Sequence, residues 1–225
     1  MITTVDVETS WQVTSTGGYD PSPFHPDNIL VSVGINDEYY FTNHSERIDK
    51  GCYHNIQSIL DKTTLLIGHN LKFDLMWLLE SGFKYNGRVY DTMLGEYILN
   101  RGIRKSLTLE MSCRRRRIGS KDSRIKDFTD RGIPFQNIPV GLVEEYGRMD
   151  VQITRDLFNS QMSDFKMPKN KHLLKTAKMM NEFLVVLSDM ERNGIKVSLD
   201  ELGKVEKEYR AEFAYLKQKI DKIVY

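Results

Sequence analysis

The most constraining part of this chain is a short apolar run that passes directly into an amphipathic helix. The run Thr64-Leu-Leu-Ile67 is typical of a strand that a parallel sheet buries on both faces. After it, Leu75, Leu78 and Leu79 recur at helical spacing and predict one apolar helix face. Asp74 lies in the first turn of that helix. The sequence therefore predicts an open α/β sheet with an acid at the carboxyl end of one strand, where such sheets bind ligands.

A carboxylate in the first turn of a helix has two ordinary explanations. It is stabilised by the positive end of the helix dipole, and it is also a suitable ligand for a hard cation. The position of Asp74 alone does not decide between a helix-start acid and a metal ligand. The first strand adds Asp6 and Glu8, which are two residues apart and therefore project from one face. Two like charges on a buried strand repel one another and lose hydration, which favours a compensating cation nearby.

A third segment combines a phenol with another carboxylate. Tyr146 and Asp150 are four residues apart in a helical pattern that continues through Val151, Thr154 and Leu157. Residues at this spacing lie above one another on one helix face. We therefore expect four carboxylates and one tyrosine, drawn from three segments, to converge on a single site.

These three segments, in this order, resemble the three motifs of the DEDD 3′-5′ exonuclease superfamily, tyrosine subclass. The motifs are Asp-x-Glu at Asp6 and Glu8, Asn-x-x-x-Asp at Asn70 and Asp74, and Tyr-x-x-x-Asp at Tyr146 and Asp150. The flanking Tyr90-Asp-Thr-Met-Leu94 and Leu187-Ser-Asp-Met-Glu-Arg-Asn-Gly-Ile-Lys-Val197 are similar to the exonuclease domain of family A DNA polymerases and its junction with the thumb. The resemblance covers nearly the whole chain.

The resemblance implies a fold and a domain division. The fold class is α/β, with an RNase H-like mixed sheet flanked by helices and followed by a C-terminal helical hairpin. We expect the exonuclease domain at residues 1–165, and the hairpin, similar to the base of a polymerase thumb, at 166–225. By this resemblance the polymerase palm and fingers are missing, so the chain is not expected to polymerise.

The resemblance also implies a two-metal-ion hydrolysis of DNA from its 3′ end, of the proofreading type, to nucleoside 5′-monophosphates. Two Mg²⁺ or Mn²⁺ ions suit a shell made only of oxygen ligands. The expected metal ligands are Asp6, Glu8, Asp74 and Asp150. Tyr146 is expected to orient the attacking water, because a free phenol with a pKa near 10 is a poor base.

Several further residues are candidates for substrate binding. Asn70 and Phe73 are expected to support the site by hydrogen bonding and by packing under the terminal nucleotide. Trp11 is the second residue of a stretch rich in Gly, Pro and Ser, residues 10–28, which is predicted to be a long loop. In the resembled family this segment covers the 3′ end, so Trp11 either stacks on a base or simply anchors its loop.

Charge is distributed unevenly along the chain. Residues 1–100 contain 6 Lys or Arg against 13 Asp or Glu, whereas residues 101–131 contain 11 against 4. The basic stretch includes Arg114 and Arg115, within a run of four arginines, and is a candidate phosphate-binding surface that Lys121, Arg124 and Lys126 would widen. Four consecutive arginines cannot share one helix face. A solvated cationic run remains the alternative.

Two long helical patterns follow the basic linker that begins at Lys166. The first is predicted over 172–192 and ends at Asn193-Gly194, a favourable C-terminal pair. The second begins at Ser198-Leu-Asp-Glu201, a capping box. It continues with apolar residues in steps of three and four that are typical of packing surfaces. Its outer apolar positions are expected to be exposed or paired with another chain, such as a separate polymerase chain.

Other classes of protein are disfavoured. No N-terminal export signal is present, and no apolar run approaches the roughly 20 residues that span a bilayer, so no membrane partner is expected. The 2 cysteines make neither a disulfide framework nor a zinc site. A cytoplasmic location, or the host cytoplasm for a viral protein, is the expectation.

Three alternatives stay open: a 3′-5′ exoribonuclease, a non-catalytic module that binds DNA or a partner of a split DNA polymerase, and the amino-terminal portion of a larger polymerase.

Overall fold

The computed structural model describes residues 1–119 and 124–224, and for residue 224 the backbone only; Lys121 lies outside the described residues. The strands are β1 Ile2–Thr9, β2 Gln12–Val13, β3 Tyr19–Asp20, β4 Leu30–Ile35, β5 Glu38–Phe41, β6 Leu65–Gly68 and β7 Arg88–Asp91. The helices are α1 Cys52–Asp61, α2 Leu71–Glu80, α3 Thr92–Leu99, α4 Leu109–Arg116, α5 Arg124–Thr129, α6 Val140–Lys166, α7 Leu173–Asn193 and α8 Leu199–Val224.

Five of the strands form one mixed sheet, as predicted, with the order β5-β4-β1-β6-β7. The first strand, β1, is at the centre, antiparallel to β4 and parallel to β6. A tight turn after Ile35 joins β4 and β5, which confirms the predicted antiparallel pair. The central place of β1 brings its side chains within reach of elements on both sides of the sheet.

The two faces of β1 have different chemistry. Val5 and Val7 belong to the main hydrophobic cluster, together with residues of α1 and α2 such as Ile56 and Leu75. Because side chains alternate along a strand, Asp6 and Glu8 project from the opposite face. That face is covered by α6, which packs against β1, β4, β5 and β6. Burial of the valines therefore fixes the direction in which the two acids point.

Helix α6 approaches the sheet closely because two glycines make room for one tyrosine. The Tyr39 hydroxyl hydrogen-bonds Ser32 Oγ at 2.8 Å and donates to the carbonyl of Val143 at 3.2 Å. A Cβ added at Gly147 would collide with the Tyr39 ring, and one added at Gly34 would lie 2.8 Å from Val151 Cγ2. The distance between the helix and the sheet thus depends on both glycines.

We expect Gly147→Ala to lower the free energy of unfolding by about 1–3 kcal/mol, because the added methyl overpacks the space that Tyr39 occupies. Gly141→Ala is a matched control in the same helix, since a Cβ there meets no atom within 4 Å. Alanine at that position is expected to be neutral or stabilising by up to about 1 kcal/mol. Urea unfolding of the two variants measures the difference, and equal effects would contradict this account of the close packing.

The chain divides into two compact units, Met1–Asp189 and Met190–Tyr225. The first unit includes most of α7, whose Ala177 and Leu184 are buried in hydrophobic clusters with residues of the sheet domain. Helix α7 ends at Asn193, and Gly194 has a positive φ of 65°, as the predicted C-terminal pair requires. The division at residues 165 and 166 stays a prediction.

Some elements differ from the sequence-based expectation. The predicted loop at 10–28 contains the short antiparallel pair β2 and β3, and the basic stretch at 101–131 contains α4 and α5. Local propensity gives a weak signal for such short elements, which are stabilised by tertiary contacts.

In the described ranges, 1–119 and 124–224, no helix has both the length and the apolar character that a membrane crossing requires.

Candidate active site

Three elements bring the predicted acids to one end of the sheet. β1 supplies Asp6 and Glu8, α2 supplies Asp74 in its first turn, and α6 supplies Asp150. Glu8, Asp74 and Asp150 are 8%, 3% and 2% exposed. Such deep burial of three acids is costly unless hydrogen bonds and positive charge compensate it.

Asp74 is tied directly to the first strand. The backbone N–H of Val7, between the two acids of β1, donates to Asp74 Oδ1 at 3.0 Å. Burial raises the pKa of Asp74 well above its usual range, and the negative charge of Asp6 raises it further. These two acids are therefore close enough to oppose each other's ionisation, as expected for carboxylates that share a cation.

Tyr146 lies among the same acids. Burial raises the pKa of Tyr146 far above its usual value of 10, and the negative charges of Glu8, Asp150 and Asp6 raise it further. A side-chain hydrogen bond with Asp150 has the same effect, because it stabilises the protonated phenol. The phenol is thus a neutral hydrogen-bond donor at physiological pH.

The donor set fits a divalent metal by its chemistry. Its members are carboxylates, which are hard oxygen ligands of the kind that Mg²⁺ and Mn²⁺ prefer. Among the described residues, however, no three His, Cys, Asp or Glu side chains are already arranged so that they could hold an ion by themselves. Mg²⁺ is commonly held by only one or two carboxylates, and substrate phosphate and water complete its shell.

Asp91 organises the turn that positions Asp74. Its carboxylate accepts hydrogen bonds from the backbone N–H groups of Asn70 at 2.9 Å, Leu71 at 3.2 Å and Met93 at 2.8 Å. It therefore caps α3, as predicted, and also holds the start of α2. Burial raises the pKa of Asp91 to about 6, although these hydrogen bonds oppose the shift.

Sequence reasoning missed a second support for this turn. Asn181 of α7 accepts a hydrogen bond from the backbone N–H of Asp91 at 2.6 Å, and it is itself 3% exposed. Helix α7 thereby contacts the segment that orients the active-site turn. A buried asparagine in an apolar helical pattern is the only sequence signal, and that signal does not identify its partner.

The predicted substrate-binding residues of the second motif, Asn70 and Phe73, lie within four residues of Asp74 in the chain. Asn70 has a left-handed backbone with φ of 61° and an exposed side chain, whereas Phe73 packs partly against the main hydrophobic cluster.

Trp11 makes edge contacts with Tyr19 at 5.6 Å and Phe135 at 5.9 Å between ring centroids. These contacts match the loop-anchoring interpretation of Trp11, and stacking on a base stays a prediction.

The arginine run is largely a structural feature of the domain. Arg115 Nη2 lies 3.1 Å from Glu96 Oε2, and Arg116 pairs with the same carboxylate and with Asp164 Oδ2 at 2.6 Å. These bonds join α4 to α3 and α6. Arg114 is exposed. Binding of phosphate by Arg115 would compete with its ion pair, so that residue is a weaker candidate than the sequence suggested, and the role of Arg114 stays a prediction.

Comparison with solved structures concerns the fold. The chain is similar to Brucella melitensis NrnC with bound Mg²⁺, with a TM-score of 0.62, 18% identity and 86% of each chain covered. The structure of Brucella melitensis NrnC bound to pGG gives a TM-score of 0.62 at 19% identity and covers 88% of each chain. This likeness confirms the RNase H-like architecture of a mixed sheet flanked by helices.

Comparison of sequences identifies the family. The chain is 28% identical over 138 residues to DNA polymerase I of Borreliella burgdorferi, covering 61% of this chain and 15% of that protein. It is 26% identical over 155 residues to DNA polymerase I of Chloroflexus aurantiacus, covering 68% and 16%. The chain thus spans less than a fifth of the length of these relatives. Residues 22–164, which contain Asp74, Tyr146 and Asp150 but not Asp6 or Glu8, match the family of 3′-5′ exonuclease domains of the DNA polymerase A type. Since this match covers more than half of the chain, the protein belongs to that family.

Proposed function

We propose that the protein is a metal-dependent 3′-5′ exodeoxyribonuclease that removes nucleoside 5′-monophosphates from the 3′ end of DNA. The observation that carries this proposal is the meeting of buried acids from separate elements, since the N–H of Val7, between Asp6 and Glu8, donates to Asp74 Oδ1 at 3.0 Å. Tyr146 of α6 lies near enough to Glu8 and Asp150 that their charges raise the pKa of its phenol. Acids that oppose each other's ionisation in a buried site are a common mark of catalytic centres. Membership of the 3′-5′ exonuclease family supports the reaction class.

The proposed metal ligands are Asp6, Glu8, Asp74 and Asp150. Two divalent ions, Mg²⁺ or Mn²⁺, would supply charge compensation for these acids and for the phosphodiester oxygens in an in-line displacement. The Val7 N–H holds one oxygen of Asp74 at 3.0 Å, so this carboxylate is oriented by the strand that carries Asp6 and Glu8. Such preorganisation lowers the cost of assembling the site during each turnover.

Tyr146 is proposed to orient the attacking water without accepting its proton. Burial and the charges of Glu8, Asp150 and Asp6 raise the pKa of the phenol, so it stays protonated. A protonated phenol donates one hydrogen bond and accepts another, which suits it to position a water molecule. Its bond to Asp150 restrains the ring, because both residues lie on the same face of α6.

The substrate is proposed to be DNA with a single-stranded or frayed 3′ end. The DNA polymerase I relatives support DNA, although the chain covers only 15% and 16% of their length. A 3′-5′ exoribonuclease is the second candidate, because the structurally similar NrnC binds pGG. The 2′-OH distinguishes the two substrates, so a direct comparison of DNA with RNA decides between them.

The test is digestion of a 5′-labelled single-stranded DNA and an RNA of the same sequence, each with Mg²⁺, Mn²⁺ or EDTA. We expect a ladder that shortens from the 3′ end of DNA with either metal and disappears with EDTA. Asp6→Ala is expected to lose the ladder, whereas Asp61→Asn, which changes an exposed acid at the end of α1, is expected to retain it.

Three other results of the digestion would contradict parts of this proposal. Faster digestion of the RNA would replace the DNA assignment with the exoribonuclease. Digestion that persists in EDTA or in Asp6→Ala would contradict the metal-dependent mechanism. Binding of DNA without digestion under any metal would identify the chain as a non-catalytic module.

A further inference from the structure

Helix α8 carries an apolar stripe along nearly its whole length. The stripe residues are between 42% and 84% exposed within the part of the chain that the structure describes. A single helix outside a packed core gains little stability from its own hydrogen bonds. A long exposed apolar face therefore indicates a surface for another helix. The stripe consists of Leu202, Val205, Tyr209, Phe213, Leu216, Ile220 and Ile223.

The spacing of the stripe is that of a coiled coil with one irregularity. Its residues follow each other in alternating steps of three and four, except that two steps of four meet at Tyr209. Such an extra step is a stutter, at which a heptad repeat is locally unwound. The repeat continues regularly on both sides of the stutter, so the whole length of α8 presents one seam.

Six of the seven stripe residues are also arranged symmetrically about the centre of the stripe. Counted inward from both ends, Leu202 corresponds to Ile223, Val205 to Ile220, and Tyr209 to Leu216. A second copy of α8 that runs antiparallel would therefore place a stripe residue opposite a stripe residue at these six positions. The two Phe213 side chains would lie on either side of the two-fold axis, one residue apart along it. An interface of this kind uses the same surface on both partners.

The charges beside the stripe favour the antiparallel arrangement over the parallel one. Glu206 and Glu208 flank its first half, and Lys217 and Lys219 flank its second half. Antiparallel copies bring these glutamates across from the lysines, whereas parallel copies would bring like charges together. Glu206 also pairs with Arg210 in its own helix at 2.7 Å, but both side chains are more than half exposed and such pairs are weak.

We propose that two copies of this chain associate through α8 as an antiparallel, two-fold symmetric helix pair. The proposal is independent of the nuclease assignment, since it rests only on the stripe and its flanking charges. It selects a second copy as the partner because the stripe and the charges are both complementary to themselves.

Sedimentation velocity of the 225-residue protein over a range of concentrations tests the association. We expect a reversible monomer–dimer equilibrium. Phe213→Lys places two like charges at the axis and is expected to raise the dissociation constant at least about thirtyfold, the effect of losing a central hot-spot residue. Lys207→Glu, on the opposite face of the same helix, is the matched control and is expected to change little. Circular dichroism checks that both variants remain folded.

Disulfide trapping tests the orientation. A mixture of Val205→Cys and Ile220→Cys proteins is expected to form a mixed disulfide dimer under oxidation, because these positions correspond across the axis. Val205→Cys alone is expected not to cross-link, and the natural chain is the control, since its two cysteines are buried. Self-linking of Val205→Cys would show a parallel pair and overturn the proposal. A monomer at every concentration would show that the stripe does not bind a second copy and would also overturn it.

Discussion

Asp74→Asn is expected to lower exonuclease activity by about a thousandfold, because several kcal/mol of charge stabilisation in the transition state would be lost. The same change is expected to stabilise the fold at neutral pH. Asparagine keeps an oxygen that can accept the hydrogen bond from Val7 N–H, which lies 3.0 Å from Asp74 Oδ1. It removes the charge that opposes Asp6. Loss of activity together with gain of stability distinguishes a functional acid from a structural one.

The pH dependence follows from the direction of the pKa shift. Burial and the charge of Asp6 raise the pKa of Asp74 in the folded state, so the folded protein binds this proton more tightly than the unfolded chain. The resulting stabilisation is fully present below the ordinary pKa of an aspartate and is lost as the pH rises through the raised value. Asp74→Asn is expected to lack this decline.

Urea unfolding of the natural protein and of Asp74→Asn, each in EDTA at several pH values, measures the effect. Asp61→Asn serves as the control, because Asp61 is exposed and its bond to Gln57 does not require a charge. A variant that loses both activity and stability would mean that Asp74 holds the fold together. A variant that keeps its activity would remove Asp74 from the proposed metal ligands.

Glu96→Ala is expected to lower the free energy of unfolding by about 3 kcal/mol, the lower end of the range for breaking a buried ion pair. The Glu96 side chain is 3% exposed and binds both Arg115 and Arg116. Its loss leaves Arg116, which is 13% exposed, with Asp164 as its remaining acid. Because the ion pair between Arg116 and Asp164 remains, we expect a loss of stability at the lower end of that range.

The melting temperature measures this loss, and a fall of about 6–12 °C is expected for a domain of this size. Arg114→Ala is the matched control, since Arg114 is an exposed neighbour in the same run and is expected to change stability by less than about 0.5 kcal/mol. Equal losses in both variants would contradict the structural role of the ion pairs. Replacement of Glu96 and Arg116 together by apolar residues is expected to recover much of the stability.

Local patterns in the sequence determined the elements that carry the site. The alternation along Ile2–Thr9 places Asp6 and Glu8 on one face, and the helical spacing of Tyr146 and Asp150 places them together on α6. The apolar run before Asp74 predicts the junction of strand and helix. These features depend on the fixed geometry of strands and helices, which holds whatever the remainder of the chain does.

The tertiary structure alone decided which side chains meet. Glu96 forms ion pairs with arginines of a run that the sequence suggested as a phosphate-binding surface. The backbone N–H of Asp91 donates a hydrogen bond to Asn181, ninety residues further along the chain. The fit of Tyr39 between Gly34 and Gly147 has no local signature either. Such contacts join residues far apart in the chain, so they depend on strand order and helix placement. Periodicity reports which face of an element is buried, but only the packed fold determines what that face contacts.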